Sequence, residues 1–504
     1  MENSNEIKEF VVREDAGDVV FRIPQSFDVT IAEYLPDIKK LLFCVSDAEQ
    51  TPPTFEDGRL KTSFTARFTL WYADDAGEIR SFDFEHGYAD EKEFGGSADG
   101  AEVIFQNRAG EVSLRPLGKR KFSVRCEGGT VARILGEKLI SPETVTKDKE
   151  GEDGQAELRS ETKELYSLER YVFPDNRESR DVPLGNGVPS DAEILYRRLN
   201  VVPRECRVTG GIAECVFACE FAAVVGGAGE GENTAKEYAS GFDVRAEFSL
   251  PEGTENAKGL CFANVTELET NLTRNDSGET VCELDFTYKV TLFVFKNDEK
   301  HYVSDAFSPA FESDAAFDAV RCGRIGDCVY TNATQNGKIE RETDGCELLF
   351  GDVRVDNFEA ASEDGRAFVR GTLRADVILV TPEGPDLAGG ECEFRLALPS
   401  ENADALGLSC CAIGKRLRLE RDGISFGAEI YVSCALCENE ELEYVKTLRI
   451  DNTAQRSGEN ADRVRLVYPS DGETAWDVAK KYGVRRRDVV ISPESERVMM
   501  IPKK

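Results

Sequence analysis

Phe64, Ala66, Phe68 and Leu70 alternate with Thr65, Arg67 and Thr69, and a period of two puts the apolar set on one face of a half-buried strand. Asp74, Asp75, Ala76 and Gly77 supply a turn, and Ile79, Ser81 and Asp83 begin the returning strand. The arrangement recurs with Cys215, Phe217, Cys219, Phe221 and Ala223 ahead of a glycine cluster at 226–231. It recurs again in a strand at 368–380 ahead of Pro382, Glu383, Gly384 and Pro385. A second strand pair follows each hairpin: 112–115 with 121–125, 265–272 with 281–294, and 415–419 with 424–432. A period of roughly 150 residues is too long for a solenoid and predicts three tandem β domains. Many strands joined by Gly and Asp turns favour sandwiches.

The pattern changes near the C-terminus. Ala475, Val478, Ala479 and Tyr482 fall at i, i+3, i+4 and i+7, which predicts a helix with one apolar stripe and with Lys480 and Lys481 in water. Thr474 can cap it, with Asp477 reaching back as a shortened capping box, and Gly483 can end it in the left-handed conformation. Trp476 falls one step off the stripe and suits either a packed flank or an exposed anchor. A strand before this helix, a second short helix and a last strand at 498–502 complete a small βααβ unit. The predicted division is 1–146, 155–304 and 305–450 for the β domains, a linker at 451–461, and the terminal unit at 462–504. Residues 147–154 carry only charged and glycine-type residues apart from their neighbours, and 451–460 is the clearest linker, one that would leave the tail free to reorient.

The 504 residues contain 62 Lys and Arg against 95 Asp and Glu, a formal net charge of −33. Such a chain repels nucleic acid and anionic lipid, so neither is an expected partner. Residues 461–504 hold ten basic and seven acidic residues and are electrostatically distinct from the acidic body. Arg485, Arg486 and Arg487 are their sharpest positive point. No apolar run approaches the ~20 residues of a membrane span, and the first residues lack the shape of a signal peptide. A cytoplasmic location without membrane insertion is therefore expected, with the 15 cysteines reduced.

Candidate chemistry is sparse. His86 and His301 lie in different predicted domains, and neither sits in a nucleophile–base signature. No G-x-S-x-G elbow or phosphate-cradling loop occurs, and the glycines at 226–231 occupy a hairpin turn rather than a strand–helix junction. Cys434 and Cys437 form a CxxC about two dozen residues after Cys410 and Cys411, which raises a zinc site. On a strand, however, residues three apart point to opposite faces. Cys215 and Cys219 share a face with Phe217 and Phe221, as small core residues do. The sequence thus predicts no catalytic residue, no metal and no cofactor.

Two resemblances add to this reading. The run E-T-A-W-D-V-A-K-K-Y-G at 473–483, with the final Ile501 and Pro502, resembles a LysM domain. The segment before the last strand, Ser492, Pro493, Glu494, Ser495 and Glu496, is shorter than that family's usual second loop. In LysM domains this loop forms one wall of a groove for N-acetylglucosamine chains. The run D-V-T-I-A-E-Y-L-P-D-I-K-K-L-L at 28–42, followed by the hairpin closing at Leu70, Trp71, Tyr72, Ala73, Asp74 and Asp75, is similar to the start of a SPOCS domain, with a degraded second copy at 188–195. Together they resemble spore-coat morphogenetic proteins of clostridia. The resemblance implies tandem β-sandwich-like SPOCS domains followed by a LysM-like domain, and a non-enzymatic scaffold in the mother cell at the forespore surface. It implies docking to the coat's basement-layer ATPase or another coat protein, with peptidoglycan binding as the alternative. The implied binding residues are Ser470, Asp471, Gly472, Glu473 and Thr474 on the first loop, Trp476, and Ser492, Pro493 and Glu494 opposite.

Overall fold

A computed structural model describes residues 9–95, 100–141, 156–185, 188–189, 192–226, 235–254, 256–363, 366–401, 404–456, 464–492 and 495–501. The protein is mainly β. Its first unit comprises β1 (Phe10–Thr30), β2 (Ile38–Ala48), β3 (Thr54–Glu56), β4 (Arg59–Asp74), β5 (Ile79–Glu93), β6 (Glu102–Pro116) and β7 (Lys121–Ile140). These form one antiparallel sheet in the order β1-β7-β6 and a second built on β4, flanked by β2, β3 and β5. The second unit has β8 (Glu157–Gly185), β9 (Glu193–Thr209), β10 (Ile212–Gly226), β11 (Lys236–Ser249), β12 (Lys258–Arg274) and β13 (Thr280–Phe307), ordered β8-β13-β12 and β9-β10-β11. The third has β14 (Phe311–Glu340), β15 (Glu347–Glu363), β16 (Arg366–Thr381), β17 (Gly384–Glu401), β18 (Asp404–Glu420) and β19 (Gly423–Gln455), ordered β14-β19-β18 and β15-β16-β17.

One topology is thus used three times. The hairpins legible in the sequence are β4–β5, β10–β11 and β16–β17, and the second strand pairs are β6–β7, β12–β13 and β18–β19. The segment 147–154 and most of the glycine cluster, 227–231, lie outside the described residues. Strand β13 continues past residue 304 to Phe307. Likewise β19 runs through residues 451–455, where a linker was expected, with Gln455 paired to Phe311.

Alternation explains each unit's core. In the first, Leu60, Phe64, Ala66, Phe68, Leu70 and Tyr72 of β4 face Phe122, Val124 and Cys126 of β7 across the two sheets. In the second, Cys215, Phe217, Cys219 and Phe221 face Cys282, Leu284, Phe286 and Tyr288; in the third, Val369, Leu373 and Ala375 face Phe426, Ala428 and Ile430. Residues of one parity are thereby buried within a unit, as the period of two requires.

Residues of the other parity join the units. By strand register, Ile104 opposes Arg133, Leu260 opposes Phe293 and Leu406 opposes Ala435, so Ile104, Leu260 and Leu406 hold the same place in each unit. All three meet in one cluster. A second set, Trp71, Val224 and Ile378, opposite Phe43, Tyr196 and Phe350, meets in another. Equivalent positions converging twice define a pseudo-threefold axis. Gly407 sits on it with φ +63, where an added Cβ would lie 2.8 Å from Ile104 and 2.9 Å from Leu260.

The chain ends in β20 (Arg465–Val467), helix α1 (Ala475–Tyr482), a 3-10 turn at Arg486–Asp488, β21 (Val490–Ser492) and β22 (Ser495–Ile501), with sheet order β20-β22-β21. The expected βααβ pattern is corrected here: the second helix is a single 3-10 turn and a third strand is added. The β-branched run Val489, Val490 and Ile491 favours a strand over a continued helix. Among the described residues no helix is long and apolar enough to cross a membrane.

Candidate functional site

Helix α1 is specified locally. Thr474 adopts φ −90 and ψ 169, its amide donates to Asp477 Oδ2 at 2.7 Å, and Asp477's amide donates to Thr474 Oγ1 at 3.4 Å. The Thr474 hydroxyl, which donates to the same Oδ2 at 2.6 Å, and then the Thr474 amide hold the Asp477 carboxyl below the usual carboxylate range. Gly483 closes the helix at φ 62. An eight-residue helix is marginal in water, and Ala475, Val478 and Ala479 supply the burial that sustains it, with Val467, Val489, Met499 and Ile501.

The preceding loop is exposed at Ser470, Asp471, Gly472 and Thr474. Glu473, half-buried, turns inward: Ser470's amide donates to its Oε2 at 2.9 Å and Lys481 lies 3.4 Å from Oε1. The Ser470 amide first, then Lys481, lowers the Glu473 pKa. Ser492 pairs through its backbone with Ser495, while Pro493 and Glu494 lie outside the described residues.

Trp476 is 7 % exposed and is not offered to a partner. Its indole N–H donates to Asp305 Oδ2 at 2.7 Å, and its ring meets Phe307 edge-on at 5.0 Å. Lys480, expected in water, places Nζ 2.7 Å from Asp305 Oδ1. Arg456 adds a bond to the Lys480 carbonyl at 2.9 Å. The terminal unit is therefore seated on the end of β13, where the register shifts between Val303 and Asp305.

The feature that sequence reasoning missed lies on the opposite side of this small sheet. Leu466, Met500 and Val490 stand in one row across β20, β22 and β21. Leu466 is 55 % exposed and Val490 46 %, and Val464 and Tyr468, two positions either side of Leu466, are 54 % and 73 % exposed. The signal was present: Val464, Leu466 and Tyr468 alternate with Arg465 and Val467. A contiguous exposed apolar row is a candidate interaction surface.

Among the described residues, several buried charged groups elsewhere pair with one another. Between the second and third units, Arg198 meets Asp352 at 3.0 Å, and Arg354 meets Asp352 at 2.9 Å and Asp376 at 2.8 Å. Burial opposes the Asp352 carboxylate, but the Arg198 and Arg354 charges outweigh it and keep its pKa low. His86 stacks on Phe27 at 3.7 Å, and burial lowers its pKa. His301 Nδ1 lies 2.8 Å from Thr162 Oγ1. Cys434 and Cys437 go to different cores, one within the third unit and one at the pseudo-threefold axis. Comparison with protein-family models, curated proteins and solved structures yields no match.

Proposed function

We propose that this protein is a non-enzymatic scaffold or adaptor of spore-coat assembly whose terminal LysM-like unit docks another coat protein. The observation that carries the reading is the outward apolar row of Val464, Leu466, Tyr468 and Val490, on a unit whose other face is fixed to the body through Asp305. A docking element seated on a three-unit platform transmits position rather than chemistry. The SPOCS-like and LysM-like resemblances supply the setting: the mother-cell side of the forespore surface, with the basement-layer coat ATPase as partner. Peptidoglycan binding has weaker support, because Trp476 is covered and Glu473 is turned into its own loop. A pull-down from sporulating cells with the full chain and with a chain lacking residues 462–504 tests this reading. Loss of a coat partner on truncation is expected; retention of every partner contradicts it.

A further inference from the structure

Three thiols that share no sequence motif converge in the second unit. Cys206 on β9 and Cys215 on β10 are direct partners in the strand register, with their sulfurs 3.4 Å apart. Cys261 on β12 reaches them from the facing sheet, and all three Sγ atoms lie within 4.8 Å of one another. Three sulfurs each about 2.3 Å from a common centre would stand about 4 Å apart, a spacing this cluster accommodates without moving a strand.

The surroundings are built around the sulfurs. Gly259 leaves the space over Cys206: a Cβ there would lie 2.7 Å from its Sγ. Tyr330, from β14 of the third unit, accepts a bond from the Cys261 amide at 2.9 Å and donates to the Gly259 carbonyl at 2.9 Å. That pins the backbone carrying Cys261 and uses up both roles of the hydroxyl. Cys215 and Cys261 are fully buried whereas Cys206 is partly exposed. Packing does not demand sulfur here. Nine positions before Trp71, Val224 and Ile378 on the equivalent central strands stand Thr62, Cys215 and Val369, all buried.

We propose that Cys206, Cys215 and Cys261 bind one thiophilic d10 cation in three-thiolate coordination, with Cu(I) preferred over Zn(II). Soft thiolates select these ions. Structural zinc takes four ligands, and Tyr330 Oη, 3.6 Å from Cys261 Sγ, is engaged with the backbone. Each coordinating thiol releases its proton to solvent as its metal–sulfur bond forms, and no electron is transferred.

The test uses the full-length chain, reduced and oxygen-free, titrated with Cu(I) and separately with Zn(II) against a competing chelator. One equivalent of Cu(I) held by three sulfurs in X-ray absorption is expected. Cys206→Ser, at the partly exposed position, should weaken binding by more than the roughly 10–100-fold that loss of an outer-shell partner costs, with unchanged circular dichroism. Cys346→Ser, a half-buried thiol elsewhere, should leave it intact. Gly259→Ala, which crowds Cys206 while retaining every thiol, should also weaken it. Absence of Cu(I) and Zn(II) binding, or binding unaffected by Cys206→Ser, overturns the site. Tighter Zn(II) than Cu(I) with a fourth ligand overturns the three-coordinate Cu(I) assignment.

Discussion

The indole N–H of Trp476 donates to the Asp305 carboxylate at 2.7 Å, joining the terminal helix to the end of β13, 171 positions earlier in the sequence. Because Lys480 uses the other oxygen of the same carboxylate, one side chain satisfies both an indole and an ammonium group. Asp305→Ala should release this contact. The chain has two tryptophans and Trp71 is fully buried, so a rise in acrylamide quenching and a red shift of emission would report Trp476 alone. A charge-assisted bond of this kind is worth about 2 kcal/mol. Unchanged quenching would show that Asp305 does not seat the helix.

The pseudo-threefold core makes a second prediction. Leu260 is fully buried between Ile104 and Leu406, and truncation to Ala should cost about 2–5 kcal/mol. Since every unit contributes to that core, denaturant unfolding should remain one transition that moves as a whole. Several transitions, only one of them shifted, would mean that the units fold independently.

How much of this was legible in the sequence depended on range. The three hairpins and the capped helix could be read because alternation, turn residues and caps act over a few residues: Phe64 to Asp83, or Thr474 to Gly483. The axis could not, because Ile104, Leu260 and Leu406 look like any other strand residues until register aligns them. For the same reason the CxxC at Cys434 and Cys437 drew attention although its thiols enter separate cores. The cluster of Cys206, Cys215 and Cys261, spread over two sheets, carried no spacing signal. Nothing near residue 476 in the sequence reveals its partner Asp305.

A pH dependence follows from the bridge between the first and third units. Asp386 on β17 meets Lys40 of β2 at 2.6 Å and Arg341 at 2.6 Å. The Lys40 hydrogen bond, then that of Arg341, lowers its pKa from 3.8 to about 2. A folded-state value below the unfolded one adds stability above the unfolded pKa, and this is lost as pH falls through the folded pKa. The stability difference between wild type and Asp386→Asn should therefore be constant well above pH 3.8, decline as pH falls through 3.8, and vanish only below about 2. Both side chains are partly exposed, so the difference is small and shrinks with salt. A difference that persists at the acid end would contradict this account of the bridge.

The helix cap should act locally. Thr474→Ala removes the acceptor for the Asp477 amide at a cost of about 1 kcal/mol. Amide exchange should quicken over Ala475–Tyr482 while β13 keeps its protection. Equal loss in both would mean that the cap supports the body as well as the helix.

The docking claim is tested most directly by measuring how tightly the purified chain binds the purified basement-layer coat ATPase, for wild type and for a variant carrying Leu466→Asp and Tyr468→Ser. Both positions are exposed, so the fold should survive, and circular dichroism and Trp476 emission verify this. The account predicts saturable binding by wild type, loss on the order of 100-fold in the variant, and no sedimentation of either chain with peptidoglycan. Binding that is unchanged by the substitutions, or a chain that binds peptidoglycan and not the ATPase, would contradict it.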